Sequence, residues 1–335
     1  MAASNDKSIV LVLGGDDNFA QPIGVAIYSA LVSLDPGWSL ELYILDGGIR
    51  PENKRCLQQV LAESPRDVNP YWPHIDLETI DALPGGGRFS VAMHLRFLIP
   101  EIVPEAWDRA VYIDGDVLVE TSLSRLWTKS FDGAALLAVR DWHNPYLSSL
   151  LGIENSRKLG LDPKSSYFLS GMLVFNLPRW RNEPIKDNAI EFLRKHEQLV
   201  TYPDQDALNV ALENDWKPID PRWHVNIKPG ALERISDSPL KDELRSRFND
   251  LLYDPHIYHF SGVQKPWDIE PARCITRPWF HYWYYHLWRS GWLTKTECLR
   301  SVVQFYGRAF LKKSRSLPHW VAARLPTPIS KVLMR

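Results

Sequence analysis

The sequence predicts an α/β protein with a mostly parallel central β-sheet covered by helices. Through residues 1–220, short continuous apolar runs alternate with longer segments of helical period, which is the pattern of parallel strands buried on both faces. Apolar residues make up 45% and charged residues 24% of the 335 residues, as expected of a globular chain. This length is enough for one large domain or for a domain with an appendage.

The strand candidates are the short, mainly apolar runs at residues 9–13, 40–45, 110–113, 134–139 and 172–175. Helices are predicted between them. The first begins with Pro22 at its N1 position and continues to Leu31 with apolar residues at i, i+3 and i+4 spacing. The other predicted helices span residues 51–62, 178–196 and 207–212.

Overall charge and cysteine content exclude several classes of protein. The 39 basic and 40 acidic side chains leave a net charge of -1, which argues against a dedicated nucleic-acid binder. Three distant cysteines (Cys56, Cys274 and Cys298) provide neither a disulfide framework nor a zinc-binding spacing. The run at 9–13 is too short for a signal peptide, and no stretch reaches the roughly 18 apolar residues of a spanning helix. We therefore expect a cytoplasmic protein.

The C-terminal part has a different composition. Four of the 14 Trp residues lie between 279 and 292, where core packing and a sugar-stacking platform are both open interpretations. Residues 299–335 carry eight basic side chains and no acidic one, so residues 1–298 carry a net charge of -9. This segment is interpreted either as a peripheral anchor on an anionic membrane or as a solvated helix.

The strongest local motif follows the strand candidate at 110–113. Asp114 and Asp116, separated by Gly115, can converge on one hard divalent cation, which in turn can bridge diphosphate oxygens. Ligands of open parallel sheets collect at the carboxyl ends of strands, which favours this interpretation. The alternative is a turn with solvated aspartates.

Two further loops carry candidate ligands. Residues 14–18 follow the first strand with two glycines, Asp16 and Asn18, which can contact a base or ribose or can simply form a turn. Residues 259–267 offer the imidazole of His259 for a metal, and Gly262 and Lys265 for phosphate. The alternative here is a half-buried His beside a Pro-Trp turn.

Over residues 8–270, these motifs together resemble glycosyltransferase family 8, the retaining nucleotide-sugar transferases that include bacterial lipopolysaccharide galactosyl- and glucosyltransferases and glycogenin. The motifs that carry the resemblance occur in the family's order: the loop at 16–18, Arg96, residues 112–119, residues 170–177, residues 203–209 and residues 259–267. The resemblance implies a GT-A domain at 1–270, followed by an aromatic-rich and basic helical segment at 271–335.

The resemblance also implies a role for each matching residue. Uracil and ribose would contact Asp16 and Asn18, and the donor would contact Arg96. A divalent ion, Mn²⁺ or Mg²⁺, would be held by Asp114, Asp116 and His259. The implied diphosphate contacts are Gly262 and Lys265, the implied catalytic residues that line the sugar are Asp141, Asp204 and Gln205, and the remaining members of the donor-binding set are Gly115, Ser170 and Gly171.

One position departs from the family. Leu169 stands where many members carry Asn, so an amide that would help to bind the donor sugar is replaced by an apolar side chain. UDP-glucose and UDP-galactose are the expected donors, and a glycan or lipopolysaccharide is the expected acceptor. The alternatives are a nucleotide-sugar or carbohydrate-binding protein of the same fold with little turnover, and a nucleotidyltransferase. No nucleic-acid partner is expected, and the enzyme is expected in the cytoplasm, either free there or peripheral on the inner face of the plasma membrane.

Overall fold

The computed structural model describes residues 7–75, 91–153, 156–226, 238–261, 265–268, 278–294 and 297. Its centre is a seven-stranded sheet with strand order β3-β2-β1-β4-β7-β6-β8. The strands are β1 (Ser8–Gly15), β2 (Ser39–Asp46), β3 (Val68–Tyr71), β4 (Arg109–Ile113), β6 (Leu136–Arg140), β7 (Phe168–Asn176) and β8 (Trp216–Pro218). All five strand candidates are confirmed, whereas β3 and β8, which are short and lie at the sheet edges, were missed.

The sheet is mostly parallel, as predicted. β1 pairs in parallel with β2 and β4, β2 with β3, and β6 with β8, whereas β7 runs antiparallel between β4 and β6. Successive side chains of β1 enter opposite faces: Val10 and Val12 join one core cluster, while Ile9, Leu11 and Leu13 join the other. Both faces are covered, which is why the strands are continuous apolar runs.

Helices cover both faces of the sheet. In the described residues they are α1 (Ala20–Ser33), α2 (Pro51–Ala62), α3 (Ile99–Ile102), α4 (Ser124–Trp127), α5 (Leu177–Asn182), α6 (Ile185–His196), α7 (Pro203–Ala211), α8 (Lys241–Tyr253) and α9 (Pro278–Arg289). The prediction for 51–62 is confirmed in full. The first helix begins at Ala20, two residues before Pro22, and the predicted helix at 207–212 begins earlier, at Pro203.

The long helix predicted for 178–196 is wrong in one respect, because the chain forms two helices there. Pro184 lacks a backbone N–H, and its ring disfavours helical geometry in the preceding residue. Glu183 is accordingly extended, with φ -122° and ψ 148°. The apolar period continued across this break, so periodicity alone did not reveal it.

A second, three-stranded sheet lies at the carboxyl end of β4. It consists of β5 (Val117–Val119), β10 (Ile257–His259) and β9 (Val225–Asn226), with β10 in the middle. β10 pairs antiparallel with β5 and parallel with β9. This small sheet brings a late segment of the chain against the residues that follow β4.

The described part of the aromatic cluster packs as core. Trp283 on α9 has no exposed surface, and α9 packs on α1. A Cβ on Gly24 of α1 would lie 2.8 Å from the ring of Trp292, so the glycine makes room for this indole. These contacts favour the core interpretation over a sugar-stacking platform.

Residues 299–335 lie outside the described residues, and no helix in the described part has both the length and the apolar character that crossing a bilayer requires.

Asn209 fastens α7 to the start of β7. Its side-chain amide accepts a hydrogen bond from the backbone N–H of Phe168 at 2.8 Å and donates to the carbonyl of the same residue at 2.9 Å. Asn209 is 1% exposed, so neither backbone group has water as an alternative partner. The position of α7 relative to the sheet therefore depends on this amide.

We expect Asn209→Ala to lower the free energy of unfolding by about 2–4 kcal/mol, because two buried backbone groups lose their partner. Urea denaturation of the full chain measures this. Asn182→Ala, which removes one exposed hydrogen bond to the carbonyl of Pro178, is the matched control and should change stability by less than about 0.5 kcal/mol. Equal losses in both variants would contradict the anchoring role.

Candidate active site

A cavity of about 510 Å³ opens at the carboxyl ends of β1 and β4. Twelve of the fourteen predicted site residues line it: Asp16, Arg96, Asp114, Gly115, Asp116, Asp141, Ser170, Gly171, Asp204, Gln205, His259 and Lys265. Asn18 is not among the described residues that line the cavity, and Gly262 lies outside the described residues. The position agrees with the rule that ligands of parallel sheets bind at the carboxyl ends of strands.

Two carboxylates and one imidazole meet at the base of the cavity. The register of the small sheet places His259 opposite Val117, directly beside Asp116. The Nε2 atom of His259 lies 3.1 Å from an oxygen of Asp116 and 3.8 Å from an oxygen of Asp114. Among the described residues, these three offer ligand atoms that all lie within 4.8 Å of one another. A divalent cation fits this donor set, since Mn²⁺ and Mg²⁺ accept carboxylate oxygens and Mn²⁺ also accepts imidazole.

Gly171 forms the floor of this cluster. A Cβ at this position would lie 2.7 Å from an oxygen of Asp114, 2.8 Å from Cε1 of His259 and 2.9 Å from Cε1 of His224. All three distances are shorter than an ordinary carbon contact, so a side chain has no room here. The backbone N–H of Asp114 also donates to the carbonyl of Gly171 at 2.9 Å. The glycine thus lets β7 approach the carboxylates closely.

Arg96 is a buried cation that joins the two halves of the site. It is 4% exposed and lies in the 3₁₀ helix Val91–Leu98. Its guanidinium donates to Asp114 at 2.8 Å and to the carbonyl of Ser170 at 2.8 Å, and it lies 2.9 Å from Asp204. Burial alone would lower the pKa of Arg96, but the carboxylates of Asp114 and Asp204 outweigh it and raise that pKa, so the guanidinium stays charged.

Lys265 is the second cation of the cluster. Its Nζ atom lies 2.5 Å from Asp116 and donates to the carbonyl of Phe260 at 2.6 Å. Burial would raise the pKa of Asp116, yet the adjacent His259 and Lys265 hold that pKa below its usual range. Asp116 is therefore ionised and able to act as a ligand or a salt-bridge partner.

Aromatic residues support the loop that carries Lys265. The indole of Trp267 packs on Phe19 at 5.8 Å between ring centroids and on Trp283 of α9 at 5.4 Å. The hydroxyl of Tyr284, also on α9, donates to the carbonyl of Pro266 at 3.1 Å. Helix α9 thus contacts the site indirectly, through the loop that carries the ammonium group of Lys265.

The side chain of Gln205 has a fixed orientation. Its Oε1 atom accepts from the backbone N–H of Ser170 at 3.0 Å, and its Nε2 atom donates to the hydroxyl of Tyr167 at 3.1 Å. A backbone N–H can only donate, so this contact determines which end of the amide carries the oxygen. Asp204, the preceding residue, accepts from the hydroxyl of Ser170 at 2.9 Å.

Asp206 supports Gln205 through the hydroxyl of Tyr167, which contacts both side chains. Neither Asp206 nor Tyr167 was among the predicted site residues. The hydroxyl of Tyr167 donates to Asp206 at 2.5 Å, and the backbone N–H groups of Thr201 and Tyr202 donate to its other oxygen at 2.7 and 2.9 Å. Burial raises the pKa of Asp206 to about 6 despite these hydrogen bonds. The motif at 203–209 contained Asp206, but no local pattern pointed to Tyr167.

The remaining predicted residues lie along the walls of the cavity. Asp141 accepts hydrogen bonds from the backbone N–H groups of His143 and Asn144 at 2.8 and 3.1 Å, so it also caps a turn. Asp16 accepts from the backbone N–H of Asn18 at 2.9 Å and caps a short 3₁₀ helix. Leu169 is 7% exposed and lines the cavity beside Ser170, which makes that wall apolar.

A family model for glycosyl transferase family 8 matches residues 10–270. General stress protein A of Bacillus subtilis (strain 168) is 28% identical over 288 residues, covering 85% of this chain and 96% of that protein. The lipopolysaccharide 1,3-galactosyltransferase of Salmonella typhimurium is 26% identical over 287 residues, covering 81% and 79%. The crystal structure of galactosyltransferase LgtC with donor and acceptor sugar analogues has a TM-score of 0.69 at 23% identity, covering 84% of this chain and 100% of that one. This likeness confirms the GT-A fold.

We expect Gly171→Ala to weaken Mn²⁺ binding by at least about tenfold, because the added methyl group would displace Asp114 or His259. Titration of the full chain followed by the electron paramagnetic resonance signal of free Mn²⁺ measures this. Gly14→Ala is the control, since the atoms nearest to its methyl group would belong to Leu45 and Leu95, at 3.2 Å or more. Unchanged Mn²⁺ affinity in Gly171→Ala would contradict the assignment of the cluster.

Proposed function

This chain belongs to glycosyl transferase family 8, and from that membership we propose that it transfers glucose or galactose from a UDP-sugar to a saccharide acceptor with retention of configuration. The single observation that supports this most directly is the convergence of Asp114, Asp116 and His259 in the same cavity as Lys265 and Gln205. A leaving diphosphate gains negative charge and is stabilised by cations, whereas a reacting sugar gains positive charge and is stabilised by carboxylate or amide oxygens. This cavity carries both kinds of group.

One end of the cavity suits a diphosphate. A Mn²⁺ or Mg²⁺ ion held by Asp114, Asp116 and His259 would neutralise the negative charge that grows on the leaving UDP. Lys265 contacts the carboxylate of Asp116, so its ammonium group would lie beside the negative charge of the diphosphate. Asp16, with Asn18 next to it, is the proposed contact for the uridine, and Gly115 and Gly262 are proposed along the diphosphate.

The other end suits the sugar. Asp204 and Gln205 are held by Arg96, Ser170 and Tyr167, so their positions are fixed before a substrate arrives. The amide of Gln205 is neutral and its oxygen accepts from Ser170. We assign it to orienting the sugar and supporting positive charge rather than to nucleophilic attack.

The choice between donor sugars would depend on the residues that line the cavity near Ser170. Leu169 offers no hydrogen bond to a sugar hydroxyl, so discrimination between glucose and galactose would depend on Asp141, Asp204 and Gln205. UDP-galactose and UDP-glucose are both proposed. The Salmonella relative is named a galactosyltransferase that acts on lipopolysaccharide, which supports a saccharide acceptor here.

We also propose that the transferase domain spans residues 1–270 in the cytoplasm, and that the segment 271–335 contributes a contact with an anionic membrane. The basic charge of residues 299–335 would attract anionic lipid by about 1 kcal/mol for each basic residue at the surface. The packing of α9 on α1 would hold this segment close to the domain.

The test of the reaction is incubation of the full chain with Mn²⁺ and a panel of UDP-sugars, with and without saccharide acceptors, while UDP release is followed. UDP release with either UDP-glucose or UDP-galactose is expected, and it should be faster with an acceptor. Release of pyrophosphate would instead indicate nucleotidyl transfer, and binding with neither product would indicate a binding protein.

We expect Asp116→Ala to lower metal-dependent UDP release by about 100-fold or more, because a buried ligand and the partner of Lys265 are lost together. Asp250→Ala, on the exposed side of α8, is the control and should retain activity. Wild-type rates in Asp116→Ala would refute the cation assignment while leaving the family assignment intact.

The membrane proposal is tested by sedimentation with vesicles of neutral or anionic lipid. The full chain should pellet only with anionic vesicles, and the triple variant K312E/K313E/R315E should lose most of that binding because each reversal replaces attraction by repulsion. The variant K241E/R245E reverses two exposed charges on α8; it is the control for charge reversal elsewhere in the chain and should bind as the wild type does. Equal binding by all three proteins would reject the role of the tail.

A further inference from the structure

A second buried imidazole lies directly behind His259. The Nε2 atom of His224 is 2.6 Å from the Nδ1 atom of His259, and the ring centroids are 4.7 Å apart. His224 is 2% exposed and His259 is 9% exposed. None of the sequence motifs included His224, so its contact with a candidate metal ligand emerged only from the structure.

The proton between the two rings decides which nitrogen of His259 can bind a cation. The Nε2 atom of His259 faces Asp116 and Asp114 at 3.1 and 3.8 Å, so this nitrogen must keep its lone pair if it is to act as a ligand. A neutral imidazole then carries its proton on Nδ1. That N–H donates to Nε2 of His224, which is the acceptor within reach.

The backbone sets this arrangement as firmly as the side chains do. β10 is the middle strand of the small sheet, and its register places Tyr258 opposite Val225, the residue after His224. On the opposite side, Cε1 of each imidazole lies 2.8–2.9 Å from where a Cβ of Gly171 would be. Both rings are therefore held between the strand pairing and the backbone of β7, in one relative orientation.

We propose that His224 is a positioning residue for the cation site, because it accepts the Nδ1–H of His259 and so directs the Nε2 lone pair toward Asp114 and Asp116. The inference rests on the proposed cation-dependent function. Metal-binding histidines generally donate their other N–H to a fixed acceptor, and loss of that acceptor costs about 10–100-fold in metal affinity. In this chain the acceptor is a second imidazole.

The experiment compares Mn²⁺ affinity of the full chain with that of two variants, by titration against the electron paramagnetic resonance signal of free Mn²⁺. His224→Phe keeps a flat ring but offers no acceptor, and should weaken Mn²⁺ binding about 10–100-fold. His224→Gln can place its amide oxygen where Nε2 of His224 lies, and should recover most of that loss. A role in packing alone would favour the Phe variant over the Gln variant.

His256→Phe is the matched control. His256 is also a buried histidine, 6% exposed, and its ring packs on Trp223 at 4.5 Å rather than on the metal cluster. Its replacement should leave Mn²⁺ affinity unchanged, and the melting temperature of each variant without metal reports on folding. Equal Mn²⁺ affinity in the wild type and His224→Phe would overturn the role of His224. Absence of Mn²⁺ binding in the wild type would instead overturn the proposed cation site.

A measurement on the wild type decides the question if His224→Phe does not fold. Nitrogen-15 NMR of histidine-labelled protein, loaded with diamagnetic Zn²⁺, which binds both carboxylate oxygen and imidazole nitrogen, reports which ring nitrogen of His259 carries the proton. The Nδ1–H form is expected. The Nε2–H form in the loaded protein would overturn the proposal.

Discussion

The site depends on one buried charge, the guanidinium of Arg96. Three carboxylates around it, those of Asp114, Asp116 and Asp204, would repel one another in a space shielded from water. Arg96 binds Asp114 after β4 and Asp204 at the start of α7, and it also donates to the carbonyl of Ser170 in β7. Three separate elements of the fold therefore meet at one cation.

Sequence patterns predicted the parts of the structure that local chemistry determines. The apolar runs identified the central strands, because strands buried on both faces must be apolar throughout. The aspartates at 114 and 116 were found because they directly follow such a strand. By contrast, the contacts of His259 depend on pairing between β5 and β10, which lie more than 130 residues apart in the chain. His224 and Tyr167 act through similar long-range contacts, and no local spacing marks them.

The aromatic excess has a structural explanation in the described part of the chain. Trp283 and Trp292 pack against the domain rather than presenting a surface to sugar. The packing of Trp267 between Phe19 and Trp283 links α9 to Phe19, which lines the cavity. In the described residues, these aromatic side chains thus form packing contacts that support the loop carrying Lys265.

The salt bridge between Lys265 and Asp116 has a thermodynamic consequence. The ammonium of Lys265 contacts a carboxylate that the proposed cation would also need, so the two positive groups would compete for Asp116. A nucleotide diphosphate that bound Lys265 would leave Asp116 to the cation, and a cation bound to Asp116 would leave Lys265 to the nucleotide. Binding of either ligand would therefore raise affinity for the other by the same factor.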